Sequence, residues 1–444
     1  MITIRRKFKR IFHALTFRNY RLFFSGQAVS ILGTWMQRLA MSWLVYRLSD
    51  SAFLLGLVEF TGQFPALLLT PIAGVLLDRW NARSVLLYSQ SAALVQASIL
   101  AVLTLSGKIE IHWIILLSIA WGVIVAFDSP ARQTFVIDLV PSREKLGNAI
   151  ALNSTLFNSA RMIGPSLAGI LIALVGEGWC FLINALSYLA ILVALGMLRL
   201  PARPKPTSTT GVWQGFLEGM QYASANQAIR WILCTLSITG FAGLSYTVLL
   251  PIFARDILHG GPETLGFLMG GAGVGALFAA LSLASKESVI GLNRTMARAA
   301  LIGSMALLSL VVIRNFWLTL LVMPFVGYGL IAQFISGNTL LQVLADNDKR
   351  GRVISLYSLT FNGVTPIGSL LAGTLAHWIG APLALMIGGT ICLIAAGAFK
   401  AKQANLERLI RPVCESIETE SQHAVIPADQ GCKTRTPDSI SSQQ

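Results

Sequence analysis

Residues 53–83 read FLLGLVEFTGQFPALLLTPIAGVLLDRWNAR. The first part, about 53–76, is an apolar run. It is long enough to cross a hydrocarbon core as a helix, which takes roughly 20 residues. The run stops at Asp78 and Arg79, and Arg83 follows closely. Basic residues packed against the end of an apolar run mark the point where a membrane span emerges into water. This one stretch therefore predicts a spanning helix that ends in a basic turn.

The rest of the chain repeats that pattern. Apolar types make up 54% of the 444 residues and charged types 12%, against roughly 25% charged in a soluble protein. Mean hydropathy is +0.66. A soluble fold of this composition would leave large apolar patches exposed, whereas a bilayer suits it as solvent. The net charge of +14 would suggest nucleic acid in a soluble protein. Here the basic residues sit in short loops between apolar runs, so topology accounts for them and nucleic acid is not an expected partner. Cys180, Cys234, Cys392, Cys414 and Cys432 form no CxxC pair, so neither a disulfide framework nor a metal site is expected. No cleavable signal peptide is read in the basic start, residues 1–21.

Twelve spans are predicted: about 20–46, 53–76, 84–106, 112–134, 147–175 and 179–199, then 229–254, 263–285, 293–313, 316–340, 352–379 and 382–400. The expected fold is all-α, two six-helix halves over 19–199 and 228–400, after a basic N-terminus at 1–18. Pro201, Pro204 and Pro206 break the chain between the halves, so 200–227 is read as a linker. Within it, Phe216, Leu217, Met220 and Tyr222 fit either a short helix on the membrane surface or a plain connection. Residues 401–444 are polar and read as a flexible tail. Arg79, Arg83, Arg143, Lys145, Arg199, Arg203, Lys205, Arg294, Arg298, Lys349, Arg350 and Arg352 lie in loops on one side, together with the basic N-terminus. The opposite loops hold Arg47, Lys108, Arg255 and Arg314. That asymmetry places both termini in the cytoplasm.

The halves resemble each other. Leu55-Gly56 matches Leu265-Gly266, Arg21 matches Arg230, and Ile163-Gly164-Pro-Ser-Leu-Ala168-Gly169 matches Ile367-Gly368-Ser-Leu-Leu-Ala372-Gly373, which aligns Asn158 with Asn362. Two parallel six-helix repeats are the layout of a major facilitator, with its substrate site between the halves near the midplane.

Three groups of residues are candidates for function. Gly74, Asp78, Arg79 and Arg83 resemble the major facilitator signature G-x-L-x-D-R-x-x-x-R. There Gly74 permits close helix contact and Asp78 can accept hydrogen bonds from a helix N-terminus, where the dipole is positive. The resemblance implies a loop that latches the halves when the cavity faces outward. Ala160, Gly164, Pro165, Ala168 and Gly169 resemble the motif C of drug–proton antiporters, with alanine in place of glycine at two positions. Small residues four apart let helices approach closely, and Gly266, Gly270, Gly271, Gly273 and Gly275 offer a matching face in the eighth span. These two spans are expected to pack across the halves and seal the outer side. The third group is the set of charges at membrane depth: Arg38, Glu59, Asp128 with Arg132 four residues on, and Arg161. Each costs at least ~2.5 kcal/mol in a spanning helix and is expected to face a cavity or a partner. Arg38 and Glu59 flank the turn at Asp50 and are expected to pair. Arg161 has no sequence partner and would attract an anionic group. An acid that carries protons must change its charge state, which leaves Glu59 if it faces the cavity and Asp128 otherwise. The second half carries almost no charge at membrane depth. Its polar inventory is Gln333, Asn338, Gln342 and Asn362, with Trp231, Tyr246, Phe334 and Tyr357. The aromatic side chains and Met269 and Met323 fit either a greasy wall for an amphipathic substrate or lipid-facing and core packing.

FRNYRLFFSGQAVSILGTWMQRLAMSWLVYRL (17–48), FDSPARQTFVIDLV (127–140), LGNAIALNSTLFNSARMIGPSLAGIL (146–171) and RGRVISLYSLTFNGVTPIGSLLAG (350–373) together resemble the bacterial major facilitator branch that includes the enterobactin exporter and macrolide efflux proteins. The resemblance covers roughly 15–400 and implies a proton-driven exporter of a small amphipathic molecule, drug or siderophore in type, acting as a monomer in the cytoplasmic membrane. Glu59 stands where that branch would carry a small or apolar residue. No ATP-binding or catalytic motif is present, so secondary transport is expected, with no cofactor and no enzymatic activity. An importer of nutrients or lipids on the same fold, and a non-transporting membrane sensor or assembly partner, are the alternative readings.

Overall fold

The computed structural model describes residues 13–140, 143–198, 212–286, 288–346 and 348–412. The side chains of residues 75, 78, 79, 143–146 and 212–216 lie outside the described set. All twelve expected spans form helices: α1 Arg18–Ser49, α2 Ala52–Arg79, α3 Ala82–Leu105, α4 Ile111–Asp138, α5 Arg143–Val175, α6 Glu177–Met197, α7 Gln227–Ile257, α8 Pro262–Ala284, α9 Leu292–Val312, α10 Phe316–Leu344, α11 in two pieces (Arg350–Asn362 and Val364–Ile379), and α12 Ala381–Ala401. Two π-helical turns, Thr239–Gly243 and Phe253–Ile257, interrupt α7.

Among the described residues ten of these helices are long and apolar enough by themselves to cross a bilayer. The other two are α1 and α11, and each has a physical reason. The apolar run of α1 is interrupted by polar side chains that bond within its own half. Gln37 Nε2 donates to Gln96 Oε1 at 3.1 Å, and Asn184 Nδ2 donates to Gln37 Oε1 at 2.8 Å. Thr34 and Tyr188 hydroxyls meet at 3.3 Å. A central helix can carry such residues because they never meet lipid. α11 breaks at Gly363, which leaves pieces of 13 and 16 residues, each too short alone to span.

Helix starts follow the sequence. Asn226 Oδ1 accepts from the backbone N–H of Ala228 and Ile229 at 3.0 and 3.2 Å, and Asn315 Oδ1 accepts from those of Trp317 and Leu318 at 2.9 and 3.2 Å. Both are side-chain N-caps. The turns α5–α6 and α11–α12 pass through Gly176 at φ 88° and Gly380 at φ 85°, a region that favours glycine. These two glycines are equivalent in the internal repeat.

The open reading of the linker resolves into a helix, Val212–Ala225. It is tied to the loop before α11. Glu218 pairs with Arg352, and the Tyr222 hydroxyl donates to Asp346 at 3.0 Å. Residues 200–211 of the linker lie outside the described residues. The expected tail divides. Residues 403–412 are helical, Leu406 and Ile410 are buried, and Glu407 pairs with Arg294 at 2.5 Å. Residues 413–444, with Cys414 and Cys432, lie outside the described set, as does most of the basic start.

The halves meet at two crossings near the end of the bundle remote from the termini. A Cβ on Gly56 of α2 would lie 2.7 Å from the Ser369 carbonyl oxygen and 3.2 Å from Gly373 Cα of α11. A Cβ on Gly266 of α8 would lie 2.6 Å from the Pro165 carbonyl oxygen and 3.0 Å from Gly169 Cα of α5. Gly56 and Gly266 are equivalent in the repeat, as are Ser369 and Pro165, and Gly373 and Gly169. The two crossings are therefore one contact made twice about a pseudo-two-fold axis.

A valine at Gly266 would overlap the α5 backbone. Overpacking of this kind costs about 1–3 kcal/mol, so the remote end should stay closed on the order of 10-fold less often. The check is cross-linking of Asp50→Cys to Arg255→Cys by a short bifunctional thiol reagent in a cysteine-free background. The link should form efficiently with Gly266 and be largely lost in Gly266→Val.

Candidate functional site between the halves

Gly164 decides the geometry of the site. A Cβ there would meet Trp35 Cβ at 2.7 Å and the Leu32 carbonyl oxygen at 3.2 Å, so its absence lets α1 press its Trp35 against α5. Two guanidiniums then lie over the Trp35 ring. Arg38 Cζ lies 5.5 Å and Arg161 Cζ 5.6 Å from its centroid, within cation–π range. Phe157 meets the same ring edge-on at 5.7 Å.

Asp50 adopts a left-handed turn at φ 47° between α1 and α2, and Ser51 Oγ accepts from the Leu54 N–H at 3.4 Å to begin α2. That hairpin brings Arg38 and Glu59 to the same depth, and they form an ion pair. Gln63 Nε2 donates to the same Glu59 carboxylate at 2.5 Å. The Arg38 side chain is 46% exposed and that of Glu59 24%, so the pair borders open space rather than the core.

Arg161 lies on one face of α5 with Ser154, Phe157 and Asn158, at helical spacing. Ile163, Leu167, Ile170 and Leu174 are exposed on another face of the helix. Among the described residues no carboxylate lies within ion-pair distance of Arg161 and no side chain hydrogen-bonds it. Its neighbours are Trp35, Arg38 and Tyr246 of α7.

Asp128 is elsewhere and differently held. It is buried inside the first half, where Ser89 Oγ and Gln90 Nε2 donate to its Oδ1 at 2.9 and 2.6 Å. Arg132 Nε donates to Oδ2 at 3.1 Å. Every carboxylate oxygen is occupied by the protein itself.

The gating loop gives a mixed result. The side chains of Asp78 and Arg79 lie outside the described residues. Arg83 donates from Nε to the Leu195 carbonyl at 3.0 Å and from Nη2 to that of Gly196 at 3.1 Å, capping the end of α6 with positive charge. Gly74 departs from expectation. A Cβ there would meet nothing within 4 Å, so no helix packs on it here. The close approaches between halves run from the remote end toward mid-helix, where a Cβ on Gly273 would lie 2.5 Å from Met162 Cα and one on Gly363 2.8 Å from Leu67 Cδ1.

The two small-residue motifs also divide. Pro165 and Gly169 face α8, whereas Gly164 faces α1 within its own half, and Ala160 and Ala168 are buried. In α8, Gly266, Gly270 and Gly273 face α5, but Gly271 and Gly275 face Met323 and Pro324 of α10. In the second half the core reading holds for Met323 and Phe334, and the polar Gln333 is bonded inside the same half. Met323 is fully buried, Gln333 binds Thr239 at 2.9 Å, and Phe334 packs in a ring cluster with Tyr357 and Phe361.

One set of contacts escaped the sequence. At the remote end Arg255 of α7 binds Asp50 at 2.5 Å and stacks on Tyr46, its centroid 5.5 Å away, while the Tyr46 hydroxyl donates to Asp256. These partners are more than 200 residues apart in the chain, with no local pattern to pair them.

Comparison with known proteins follows this geometry. The chain is 28% identical to the staphyloferrin A transporter of Staphylococcus aureus over 84% of its own length and 94% of that protein. It is 26% identical to the multidrug efflux pump Tap of Mycolicibacterium fortuitum, over 77% of this chain and 85% of that one. With the macrolide efflux protein A of Streptococcus pyogenes it shares 20% identity over 86% and 96%. Among solved structures the fold is shared with the nucleoside transporter NupG, at TM-score 0.64 and 15% identity over 86% of this chain and 98% of the other. It is also shared with a bacterial homologue of the human lysosomal transporter Spinster in an inward-facing, occupied conformation, at TM-score 0.67 and 14% identity over 88% and 97%. Residues 11–424 match the transmembrane secretion effector family, and the chain belongs to that family of multi-pass transporters within the major facilitator superfamily.

Proposed function

We propose that this protein is a proton-coupled exporter of a small amphipathic molecule, drug or siderophore in type, working as a monomer in the cytoplasmic membrane. The observation that carries the reading is the Arg38–Glu59 pair, an ion pair far from the ends of two spanning helices with both side chains partly exposed. Relatives named as efflux pumps and as a siderophore transporter support the substrate range. With both termini in the cytoplasm, the Asp50–Arg255 contact and the two glycine crossings close the outer side, and the cavity opens inward. Rocking of 19–199 against 228–400 about those crossings, with 200–227 as the tether, exposes the site outward. The loop of Gly74, Asp78, Arg79 and Arg83 then docks on the second half.

Glu59 is the proton carrier in this scheme. Its carboxylate is held by Arg38 and Gln63 and is partly exposed, whereas that of Asp128 is buried. Asp128, saturated by Ser89, Gln90 and Arg132, keeps the first half rigid instead.

Two measurements in proteoliposomes with an imposed pH gradient test this. For a fluorescent cation such as dansylcadaverine, an uncoupler should abolish gradient-driven export by the unaltered protein. Glu59→Gln should lose accumulation at least about 100-fold, the usual scale for removing an essential acid–base group, while still exchanging substrate across a membrane with no gradient. Wild-type accumulation insensitive to the uncoupler, or full accumulation by Glu59→Gln, would sink the proposed coupling. Asp128→Asn should behave differently. It should lower the thermal midpoint, because Arg132 is left as an uncompensated half-buried charge, yet retain gradient dependence in the fraction that folds.

At the outer side, Arg255→Asp should repel Asp50 and weaken closure. The double change Asp50→Arg with Arg255→Asp should restore it, as read by transport rate. Exposed pairs contribute only ~0.2–1 kcal/mol, so the single change should slow turnover by less than about 10-fold.

A further inference from the structure

We infer that the transported molecule carries an anionic group, a carboxylate foremost, and that Arg161 is the residue that holds it. The inference rests on the exporter reading for the location of the site but not on the coupling ion. Two guanidiniums, Arg38 and Arg161, lie over the same tryptophan, and one carboxylate, Glu59, pairs with the first of them. Glu59 compensates Arg38, which leaves one positive charge over. In the second half, Arg230, Arg255, Asp256, Glu263, Arg294, Arg298 and His377 lie toward the ends of their helices, so nothing at midplane depth cancels it.

An unpaired guanidinium at that depth is costly, and such residues mark substrate pathways by default. Arg161 is not retained for packing. Its neighbours are a ring face, another arginine and a tyrosine, and the repulsion from Arg38 makes the arrangement worse in the absence of an anion. An anionic group placed between the two guanidiniums adds an attraction to each that outweighs their mutual repulsion. The guanidinium fork fits the two oxygens of a carboxylate, and Trp35 with Phe157 supplies an apolar surface directly beside it. A small amphipathic anion matches this combination of one excess charge and one aromatic wall. Because Arg38 is shared between Glu59 and the Trp35 face, an arriving anion competes with Glu59 for it, which links substrate entry to release of the glutamate.

The test uses one apolar head with four charges: dansylcadaverine (cationic), dansylamide (neutral), dansylglycine (one carboxylate) and dansylglutamate (two). Binding to the purified full-length protein is read by energy transfer from tryptophan. Hydrogen bonds to charged groups contribute ~1.5–3 kcal/mol, so dansylglycine should bind about 10-fold or more tightly than dansylamide. Arg161→Gln should bring dansylglycine down to the level of dansylamide, and Arg161→Lys should keep part of the preference. Glu59→Gln should increase the preference for anions, a gain that a merely structural role for these residues would not produce. Equal binding of dansylamide and dansylglycine by the unaltered protein, a preference that survives Arg161→Gln, or no binding of any anion would each overturn the inference. The exporter reading is judged separately, by gradient-driven transport of all four probes. Transport of any of them without anion preference in binding removes the anion site and leaves the exporter. Anion binding that depends on Arg161, without gradient-driven transport of any of the four, leaves the site and removes the coupled exporter.

Discussion

Apolar side chains gain nothing by leaving lipid for one another, so helices in a bilayer associate through close packing of their backbones. The two halves of this molecule depend on that constraint at two places. Gly56 against Gly373 and Gly266 against Gly169 bring helix axes near enough that even a methyl group would collide. Everything at the remote end follows from this approach. Asp50 and Arg255 come into contact, Tyr46 reaches Asp256, and the space between the halves is stoppered on one side. At the other end no such crossing forms, and Gly74 faces open space.

The same device operates within the first half on a smaller scale. Gly164 admits Trp35, and Trp35 gathers Arg38 and Arg161 on its faces. α1 can hold this position because its other polar residues are bonded to α3 and α6. The helix that reads as least apolar thus has its polar side chains bonded to protein rather than facing lipid. Its polarity, which weakens it as an isolated membrane span, is what builds the site.

The fold was legible because hydropathy and loop charge act on long segments. Twelve runs, two halves and their repeat all follow from that. What the sequence could not assign was direction. A run of small residues on a helix shows that neighbours come close but not which neighbours. Residues 100° apart around α8 therefore go to different partners, Gly270 to α5 and Gly271 to α10. The Arg38–Glu59 pair was readable because a hairpin fixes relative depth. The Asp50–Arg255 contact was not, because only the assembled bundle brings those loops together. The helix over 403–412 was hidden by its polar composition, since two buried residues, Leu406 and Ile410, suffice to dock it.

The pseudo-two-fold relation between the crossings contrasts with how charge is distributed. Both halves contribute the same glycine contact to closure, Gly56 on Gly373 and Gly266 on Gly169, whereas Arg38, Glu59 and Arg161 stand on α1, α2 and α5 of one half alone. A side chain added at either crossing changes how both halves meet, while a change at those three residues alters the chemistry of one half and leaves both crossings in place.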